Sequence, residues 1–244
     1  MRVLAIETAT AASSVAIGSG GRLAAMAAEV DARGHLGFLT AATDFCFAQA
    51  GWTPLEVDAV AVDTGPGRYT GLRAGIATAQ GIAAAIGAPL VTVSSLSVLA
   101  LRAATGRRRI WPVIDVRRGQ IATQPFHPVP GGVVADGDPE VMAAEELRGL
   151  LEADPSDSLV VGDWESLPDS VLRGLHRVKR GRPRYPSADV VLEIGELKAA
   201  RDDFATPEQV RPVYLREPDA RINWSQISGR QPAADGGLWP EAAS

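Results

Sequence analysis

The chain has 244 residues, of which 46% are apolar, 22% are charged and 5% are aromatic. The apolar fraction is that of a folded globular protein and excludes wholesale disorder, and the length suits one large domain or two domains of roughly 100 residues each. The net charge of −5, from 24 basic and 29 acidic residues, gives no overall field that attracts nucleic acid. A single cysteine, Cys46, excludes an internal disulfide and is typical of a reducing compartment.

Two apolar stretches raise the question of export or membrane insertion. At the amino terminus only Arg2 precedes the apolar run and Glu7 interrupts it, so the segment is not a signal peptide. Residues 74–101 carry no charge and exceed the ~20 residues that span a bilayer. However, Gly87 and Pro89 divide them into a helix, a turn and a strand. We therefore predict a soluble, cytoplasmic protein without a membrane segment.

Hydrophobic periodicity in the first half predicts three strands, a helix, a strand, a helix, a strand and a helix. These elements span residues 2–8, 13–17, 22–30, 35–50, 57–62, 70–86, 90–93 and 95–104. A similar order restarts at Arg109, with strands at 110–115, 120–126, 133–135 and 159–161 and helices at 143–151, 167–175 and 188–201. The segments RVLAIET and RIWPVID share a basic residue, an apolar run and an acid at the strand end. The pattern predicts an α/β protein with a duplicated βββαβα order.

The repeat divides the chain into two lobes, residues 1–106 and 107–222, with a boundary near residues 105–108. Two unrelated α/β domains are the alternative, because the similarity between the halves is weak at the level of single residues. The tail, residues 223–244, is mostly polar and contains glycine and proline, which predicts disorder.

The first two predicted helices lack the charged face of a surface helix. Apart from a histidine at its start, the first carries only Asp44, and the second carries only Arg73. In the second helix Gly71, Gly75 and Ala79 recur every four residues, a spacing that lets a neighbouring backbone come close. Two interpretations are open: the helices are covered by other parts of their own chain, or each has a face that another subunit covers.

The histidines, the cysteine and the serines form no recognisable catalytic or metal-binding motif. His35, His127 and His176 lie on separate elements without metal-ligand spacing. No serine lies in a G-x-S-x-G motif, and Cys46 lies inside an apolar helix, where a buried thiol is inert. A structural metal, a zinc peptidase and covalent hydrolysis are therefore not expected.

Acidic residues end four of the predicted strands: Glu7, Asp63, Asp115 and Asp163. Ligands of α/β folds bind beyond the carboxyl ends of strands, where these acids could hold a hydrated magnesium ion. The alternative is that they act as turn and cap residues.

The loop after the fourth predicted strand is rich in glycine. Backbone N–H groups around Gly65, Gly67 and Arg68, together with the helix start at Thr70, could bind an anion or a nucleotide phosphate. The loop lacks the lysine of a P-loop. The alternative is a rigid turn whose helix is capped by Thr70.

One segment is strongly basic. Residues 177–184 hold five positive charges, and residues 107–109 and 117–118 form shorter clusters. Such clusters contact phosphates or acidic partners, although a solvated loop is the commoner explanation.

Five segments, in this order along the chain, resemble the TsaB (YeaZ) family, bacterial subunits of the machinery that makes threonylcarbamoyladenosine in tRNA. They are VLAIETATAASSVAI, GHLGFLTAATDFCFAQAGW, VDAVAVDTGPGRYTGLRAGIATAQGIAAAIGAPLVTVSSLSVLA, IDVRRGQI and PVYLRE. The most specific piece is GPGRYTGLRAGIATAQGIA, at residues 65–83. The resemblance implies an actin-like ATPase (ASKHA) fold with two RNase H-like lobes, in agreement with the duplicated order.

The resemblance also implies a non-catalytic role. Family members pair with the paralogue TsaD, which transfers the threonylcarbamoyl group to the adenosine beside the anticodon, and a small ATPase, TsaE, completes the complex. TsaD carries two metal-binding histidines four residues apart, and the corresponding positions here are Ser95 and Leu99. We therefore expect a scaffold subunit that activates TsaD, holds no cofactor or metal, meets tRNA only through the complex, and is able to form a homodimer in isolation.

Pairing in the family uses the two helices of the first lobe, which are the helices that lack charge here. This favours a partner face on them. The resemblance and the helical spacing together assign that face to eight residues: His35, Leu36, Leu39, Thr43, Arg73, Ile76, Ala77 and Gln80.

Three residues depart from the family pattern. Glu7 stands where an aspartate is more typical, Asp63 replaces a neutral or basic residue, and Ala122 replaces an aromatic residue. The first two departures leave the nucleotide contacts open.

Three other functions are alternatives. An actin-like ATPase or small-molecule kinase would use Glu7, Asp115 and Asp163 with magnesium. Metallopeptidase activity is suggested only by an old family name. Binding of tRNA by the isolated chain would use the basic segment at residues 177–184.

Overall fold

The structure, a computed structural model, describes residues 1–31, 35–104 and 106–215, and of His35 and Leu36 it describes the backbone alone. The tail predicted to be disordered, residues 223–244, lies outside the described residues.

Five strands form the first sheet, in the order β3-β2-β1-β4-β5. β1 (Arg2–Glu7), β2 (Ala12–Ser19) and β3 (Arg22–Val30) form an antiparallel meander, and β4 (Ala59–Gly65) and β5 (Leu90–Ser94) continue the sheet in parallel with β1. β4 is buried along its whole length and β1 is buried from its second residue. Both read as continuous apolar runs because helices cover the two faces of the sheet.

Four helices cover this sheet. α1 (His35–Ala50) and α2 (Tyr69–Ile86) pack on the face that carries Leu4 and Ile6. The opposite face, which carries Val3 and Ala5, is covered by α6 (Ala188–Ala199) and by part of α3 (Ser95–Ala103). Alternate residues of one strand therefore serve two separate cores.

A second sheet follows in the order β10-β7-β6-β11-β12, and a hairpin of β8 and β9 attaches to β6. Its strands are β6 (Arg109–Asp115), β7 (Gln120–Thr123), β8 (Phe126–Val129), β9 (Gly132–Ala135), β10 (Glu140–Ala143), β11 (Ser158–Gly162) and β12 (Val178–Arg180). α4 (Ala144–Ala153) and α5 (Asp169–Leu172) pack against this sheet around Leu147 and Val171.

The two sheets repeat one topology. β6, β7, β10, β11 and β12 occupy the places of β1, β2, β3, β4 and β5 and pair in the same directions. α4, α5 and α6 follow the strands that correspond to those preceding α1, α2 and α3, and the β8–β9 hairpin is inserted between the second and third strands. The fold is the predicted actin-like ATPase fold, built from two RNase H-like lobes.

Two helices cross between the lobes. α3 follows the last strand of the first sheet, but Leu96 and Leu99 pack on Ile110 and Phe126 of the second sheet. α6 follows the last strand of the second sheet and packs on the first. The boundary near residue 106 stays a prediction, and the hydrophobic packing runs across it.

Some elements differ from the sequence-based expectation. The helix predicted at residues 167–175 is only α5, because Pro168 precedes it and Gly174, at φ +82°, turns the chain. The strand predicted at residues 120–126 is divided into β7 and β8, and β10 and β12 are too short for periodicity to detect. Among the described helices, none is both long and apolar enough to cross a membrane.

Candidate functional site

α1 has no strongly charged face. Leu39, Ala42 and Cys46 pack into the core beneath it, and Gly51, at φ +65°, ends the helix. The described residues on its outer side are Gly37, Thr40, Ala41, Asp44, Phe45, Ala48 and Gln49. Phe45 keeps 48% of its surface exposed. A helix whose outer side carries so little charge is unusual on a free surface.

α2 lies unusually close to its own sheet. A Cβ atom at Gly75 would lie 2.2 Å from Thr8 Oγ1, so only glycine allows this approach. The Thr8 hydroxyl donates a hydrogen bond to the Gly71 carbonyl at 2.8 Å. The stripe of Gly71, Gly75 and Ala79, which recur every four residues, is buried within the chain. Close packing of this stripe therefore serves β1 and not another subunit.

The outer side of α2 carries small residues around a single charge. Its exposed residues beyond the first turn are Arg73, Ala77, Gly81, Ala84 and Ala85. α1 and α2 pack side by side on the same face of the sheet. We call their outer sides, as given for each helix, the helix-pair surface. Asp44 and Arg73 are the formal charges among its described side chains.

Five of the eight residues predicted for the partner face fall into two groups in the structure. Leu39, Thr43 and Ile76 are buried in the chain's own core, and the Thr43 hydroxyl donates to the Leu39 carbonyl at 2.7 Å. Arg73 and Ala77 lie on the helix-pair surface.

The other three predicted residues lie elsewhere. Gln80 is half-buried, and its amide is bound by the chain's own backbone. His35 and Leu36 form the first turn of α1, and their side chains lie outside the described part of the chain.

A segment that the sequence did not predict crosses the flank of α2. We call residues 204–215 the carboxy-terminal strap. Gln80 Nε2 donates to the carbonyls of Pro207 and Val210 at 2.9 and 3.2 Å, and Val210 is buried in the first-sheet core. The Val213 N–H donates to the Thr64 carbonyl at 2.8 Å. The strap thus occupies one side of α2 and leaves Ala77 exposed.

The end of the strap forms a small aromatic and cationic cluster with the start of α2. The rings of Tyr69 and Tyr214 stack with centroids 5.4 Å apart. The Arg73 guanidinium lies 4.2 Å from the centroid of Tyr69, and Arg73 Nε donates to the Tyr214 hydroxyl at 3.2 Å. The cluster fixes the edge of the helix-pair surface.

The glycine-rich loop is occupied by the chain itself. The Arg68 N–H donates to the Ala9 carbonyl at 2.7 Å, and a Cβ at Gly67 would lie 2.3 Å from that same oxygen. The Gly65 N–H donates to Asp63 Oδ1 at 2.8 Å. Two of the N–H groups predicted to bind an anion are therefore already bonded.

The prediction that Thr70 caps the helix is wrong. α2 begins at Tyr69, and Arg68 is the residue before it, without a side-chain cap. Thr70 lies within the first turn, facing solvent.

Two of the strand-end acids lie side by side in the first lobe. β1 and β4 are parallel with Ile6 beside Val62, so Glu7 and Asp63 are neighbours on one face of the sheet, and neither is accessible to solvent. Glu7 Oε1 accepts from the Ala9 N–H at 2.7 Å, and Asp63 Oδ1 accepts from the Ser95 hydroxyl at 2.6 Å. Asp63 Oδ2 is buried without a hydrogen-bond partner among the described residues.

Burial changes the ionisation of this pair. Removal from water raises the pKa of Asp63 to about 7, although the hydrogen bonds from Ser95 and Gly65 oppose the rise. Burial and then the charge of Asp63 raise the pKa of Glu7 well above its usual value, and Arg102 opposes the rise only weakly. A buried proton between two carboxylates satisfies them better than two adjacent charges.

The other two strand-end acids form a second pair in the second lobe. Burial and then the charge of Asp115 raise the pKa of Asp163, whereas the positive charges of Arg68 and Arg184 oppose the rise. Asp115 is partly exposed, and its Oδ1 accepts from the Arg117 N–H at 2.7 Å. Arg68 of the first lobe thus acts electrostatically on an acid of the second.

The acids do not form a common metal site. In the described residues, no group of three or more histidine, cysteine, aspartate or glutamate side chains is placed to hold a metal ion. The predicted magnesium set of Glu7, Asp115 and Asp163 is therefore not brought together. Glu7 is fully buried beside Asp63, while the other two acids lie in the second lobe.

Several residues of the site escaped the sequence analysis. Phe45 escaped it because α1 has no periodicity that distinguishes its buried side from its exposed side. Tyr69 and Tyr214 meet across a separation of more than a hundred positions, which no local pattern reports. In the sequence Ser95 stands out only at the position of a TsaD histidine, and no sequence signal predicts its hydrogen bond to Asp63.

A family model and several known proteins are similar to this chain over much of its length. A family model described as TsaD, tRNA N6-adenosine threonylcarbamoyltransferase, matches residues 26–133. An Escherichia coli protein named tRNA threonylcarbamoyladenosine biosynthesis protein TsaB is 28% identical over 235 residues, covering 95% of this chain and all of the relative. An uncharacterized protein of Mycobacterium tuberculosis is 33% identical over 225 residues, covering 90% of this chain and 93% of the relative.

Solved structures agree with this relationship. A crystal structure of a Pseudomonas aeruginosa protein described as similar to peptidase YEAZ superposes with a TM-score of 0.76 at 30% identity, covering 88% of this chain and 99% of the other. YeaZ from Pseudomonas aeruginosa superposes with a TM-score of 0.73 at 28% identity, covering 87% of this chain and all of the other. Because the identity, the coverage and the fold agree over nearly the whole of both chains, this chain belongs to the TsaB (YeaZ) family.

Proposed function

We propose that this chain is a non-catalytic subunit of the cytoplasmic complex that makes threonylcarbamoyladenosine in tRNA. Its role in that pathway is supported by relatives from Escherichia coli, Bacillus subtilis and Haemophilus influenzae that carry the name tRNA threonylcarbamoyladenosine biosynthesis protein TsaB. In the proposal the chain pairs with the transferase TsaD through the helix-pair surface and activates it. TsaE and tRNA join the assembled complex.

The observation that carries the proposal is the helix-pair surface itself. It combines the exposed ring of Phe45 with small residues such as Ala77 and Gly81, and with two opposite charges, Asp44 and Arg73. Small side chains allow helices to pack at short distance, and a charge-poor centre with an aromatic anchor is the usual composition of a protein interface. The surface therefore suits a pair of helices from another protein.

The family match supports TsaD as that partner. The model described as TsaD matches residues 26–133, a range that contains all of α1 and α2. The transferase therefore has helices that correspond to these two. Two related surfaces can pair about an approximate twofold axis, as identical surfaces do in a symmetric dimer. A second copy of this chain can use the same surface, so we expect a homodimer where TsaD is absent.

Three features support a non-catalytic role. Ser95 and Leu99 stand at the positions of the metal-binding histidines of TsaD, and both are fully buried, Ser95 as a donor to Asp63 and Leu99 in a hydrophobic core. Cys46 is buried, which raises the pKa of its thiol and makes it a poor nucleophile. The loop that would bind phosphate is bonded to Ala9. In the proposal, TsaD carries out the transfer of the threonylcarbamoyl group.

The test places a charge on the helix-pair surface without touching the core. Ala77 is exposed, so Ala77→Glu leaves the folded monomer intact, but a carboxylate desolvated at an interface costs several kcal/mol unless it is paired. We expect Ala77→Glu to abolish co-elution with TsaD in size-exclusion chromatography and to lower tRNA modification in a reconstituted assay.

Ala153→Glu, at an exposed position of α4, is the matched control and is expected to co-elute normally. Normal co-elution of Ala77→Glu would contradict the proposed surface. Full modification activity by TsaD and TsaE without this chain would contradict the proposed role.

A further inference from the structure

Two arginine-rich segments that are far apart in sequence meet at one edge of the second sheet. β12 is the last strand of that sheet and pairs in parallel with β11. The Arg177 carbonyl, just before β12, accepts a hydrogen bond from Arg108 at 3.0 Å and another from the Ser158 N–H at 3.0 Å. The basic segments at residues 107–109 and 177–184 are therefore joined in the folded chain.

Some of the positive charges at this edge are neutralised by the chain. Arg108 pairs with Asp157 at 3.4 Å and Arg180 pairs with Asp169 at 3.1 Å. Arg184 pairs with Glu165 and lies over the ring of Trp164. These arginines have structural roles and bring no free charge to the surface.

Other cations at the edge remain unneutralised. Within the part of the chain that the structure describes, Arg107, Arg177, Lys179 and Arg182 are exposed and none has an acidic group within salt-bridge distance. We call these four residues the basic edge. Residues of a strand alternate between its faces, so Arg177 and Lys179 lie on the face opposite to that of the buried Val178.

Protection of an exposed strand edge does not account for all of the basic edge. Lysine and arginine on an edge strand do discourage pairing with other chains. However, Arg107 belongs to the segment before β6 and not to the edge strand, so edge protection explains only part of the cluster. Arginine guanidinium groups bind phosphate oxygens through paired hydrogen bonds, which makes them the usual contacts of a nucleic-acid backbone.

We propose that the basic edge binds the sugar-phosphate backbone of RNA when the complex holds its tRNA. This inference rests on the proposed function, which supplies the RNA. The contact is sequence-independent and electrostatic, so it contributes affinity and orientation but no base recognition. The basic edge belongs to the second sheet, whereas the helix-pair surface lies on the first, so the two surfaces can be changed separately.

The experiment measures binding of a labelled tRNA transcript to the complex of this chain with TsaD over a series of salt concentrations. In the variant Arg177→Gln/Lys179→Gln two unpaired cations of the basic edge are removed. Each phosphate contact contributes about 0.7 to 0.9 to the slope of log K against log salt concentration, so we expect the slope to fall by about 1.4 to 1.8. Binding at low salt weakens correspondingly.

The charge-matched control is Arg22→Gln/Arg201→Gln, which removes two exposed cations from outside the basic edge. We expect its slope to equal that of the unmodified complex. An unchanged slope in the edge variant would overturn the inference, as would an equal loss in the control. Co-elution of the edge variant with TsaD is measured in parallel, because loss of pairing would instead count against the proposed function. Aggregation of the edge variant at normal RNA affinity would show that the cations only guard the strand edge.

Discussion

The two lobes have the same topology but opposite kinds of surface helix. α4, which follows β10 as α1 follows β3, buries Leu147 and Leu151 and turns charged residues to solvent, with an ion pair of 2.7 Å between Arg148 and Glu152. α1 buries its inner side in the same way but carries Asp44 as the one charge among its described side chains. The fold itself is therefore satisfied by an ordinary amphipathic helix. The lack of charge on α1 and α2 is a property of the first lobe, and it is the basis of the proposed partner surface.

The acid pairs of the two lobes also differ, in how far they are exposed to solvent. Glu7 and Asp63 end β1 and β4, and Asp115 and Asp163 follow at the corresponding strand ends of the second lobe. The first pair is fully buried and faces Ser95, while the second is nearer to solvent and is influenced by Arg68. The strand-end acids of the first lobe are thus closed to solvent, whereas those of the second lobe are nearer to it.

The largest expected effect is a difference in stability between variants on the buried side and on the exposed side of α2. Ile76 is 4% exposed, so Ile76→Glu puts a carboxylate into the core and is expected to lower the free energy of unfolding by several kcal/mol, as measured by urea denaturation. Ala77→Glu, one residue away, is expected to leave the free energy of unfolding nearly unchanged. If the Ile76→Glu variant kept its stability but no longer bound TsaD, Ile76 would lie on the outer side of α2, which would contradict the assignment of the two sides.

The next effect is a pH dependence that belongs to the first lobe. The folded state raises the pKa of Asp63 from 3.8 to about 7, so it binds more protons than the unfolded state in that range. The contribution of Asp63 to the free energy of unfolding is therefore greatest below pH 4. It is lost as the pH rises towards 7. We expect Asp63→Asn to flatten the fall in the free energy of unfolding between pH 4 and 7, measured by denaturation at each pH.

Asp115→Asn is the control in the second lobe, and we expect a smaller change because Asp115 is partly exposed. Equal pH profiles for the original chain and Asp63→Asn would show that Glu7 and Asp63 do not share a proton.

The smallest expected effect comes from a substitution that gives α1 an ion pair like that of α4. Ala48→Lys places a lysine four residues after Asp44 on the exposed side of α1, a pair that stabilises a helix by about 0.2 to 0.5 kcal/mol. We expect a slightly more stable monomer that binds TsaD less well, measured by thermal unfolding and by titration calorimetry. A gain in stability with unchanged affinity for TsaD would mean that this side of α1 faces solvent in the complex.

The sequence predicts the architecture better than it predicts the faces of its helices. The repeated order of predicted strands and helices and the matching segments RVLAIET and RIWPVID predict two related α/β lobes, and the two sheets repeat one topology. Polar and apolar residues of α1 do not separate into two faces, so helical spacing could not show that Leu39 and Thr43 face inward. The glycine stripe of α2 has the spacing of an interface but packs against Thr8 of the same chain.

Contacts between distant segments account for the other differences. The strap returns to α2 from beyond α6 and binds Gln80, and this long-range contact leaves no trace in local composition. For the same reason, local composition does not predict that α3 and α6 each pack on the opposite lobe. The pairing of Glu7 with Asp63 depends on the parallel register of β1 and β4, which a single sequence does not fix.

The most direct measurement is site-specific photo-crosslinking in the complex of this chain with TsaD. A benzophenone side chain is placed at position 77 on the helix-pair surface or at position 153 on α4, and both positions are exposed in the free chain. The account predicts that position 77 crosslinks to the TsaD helices that correspond to α1 and α2, and that position 153 gives no crosslink. Crosslinking from position 153, or none from position 77 in a complex that co-elutes, would contradict it.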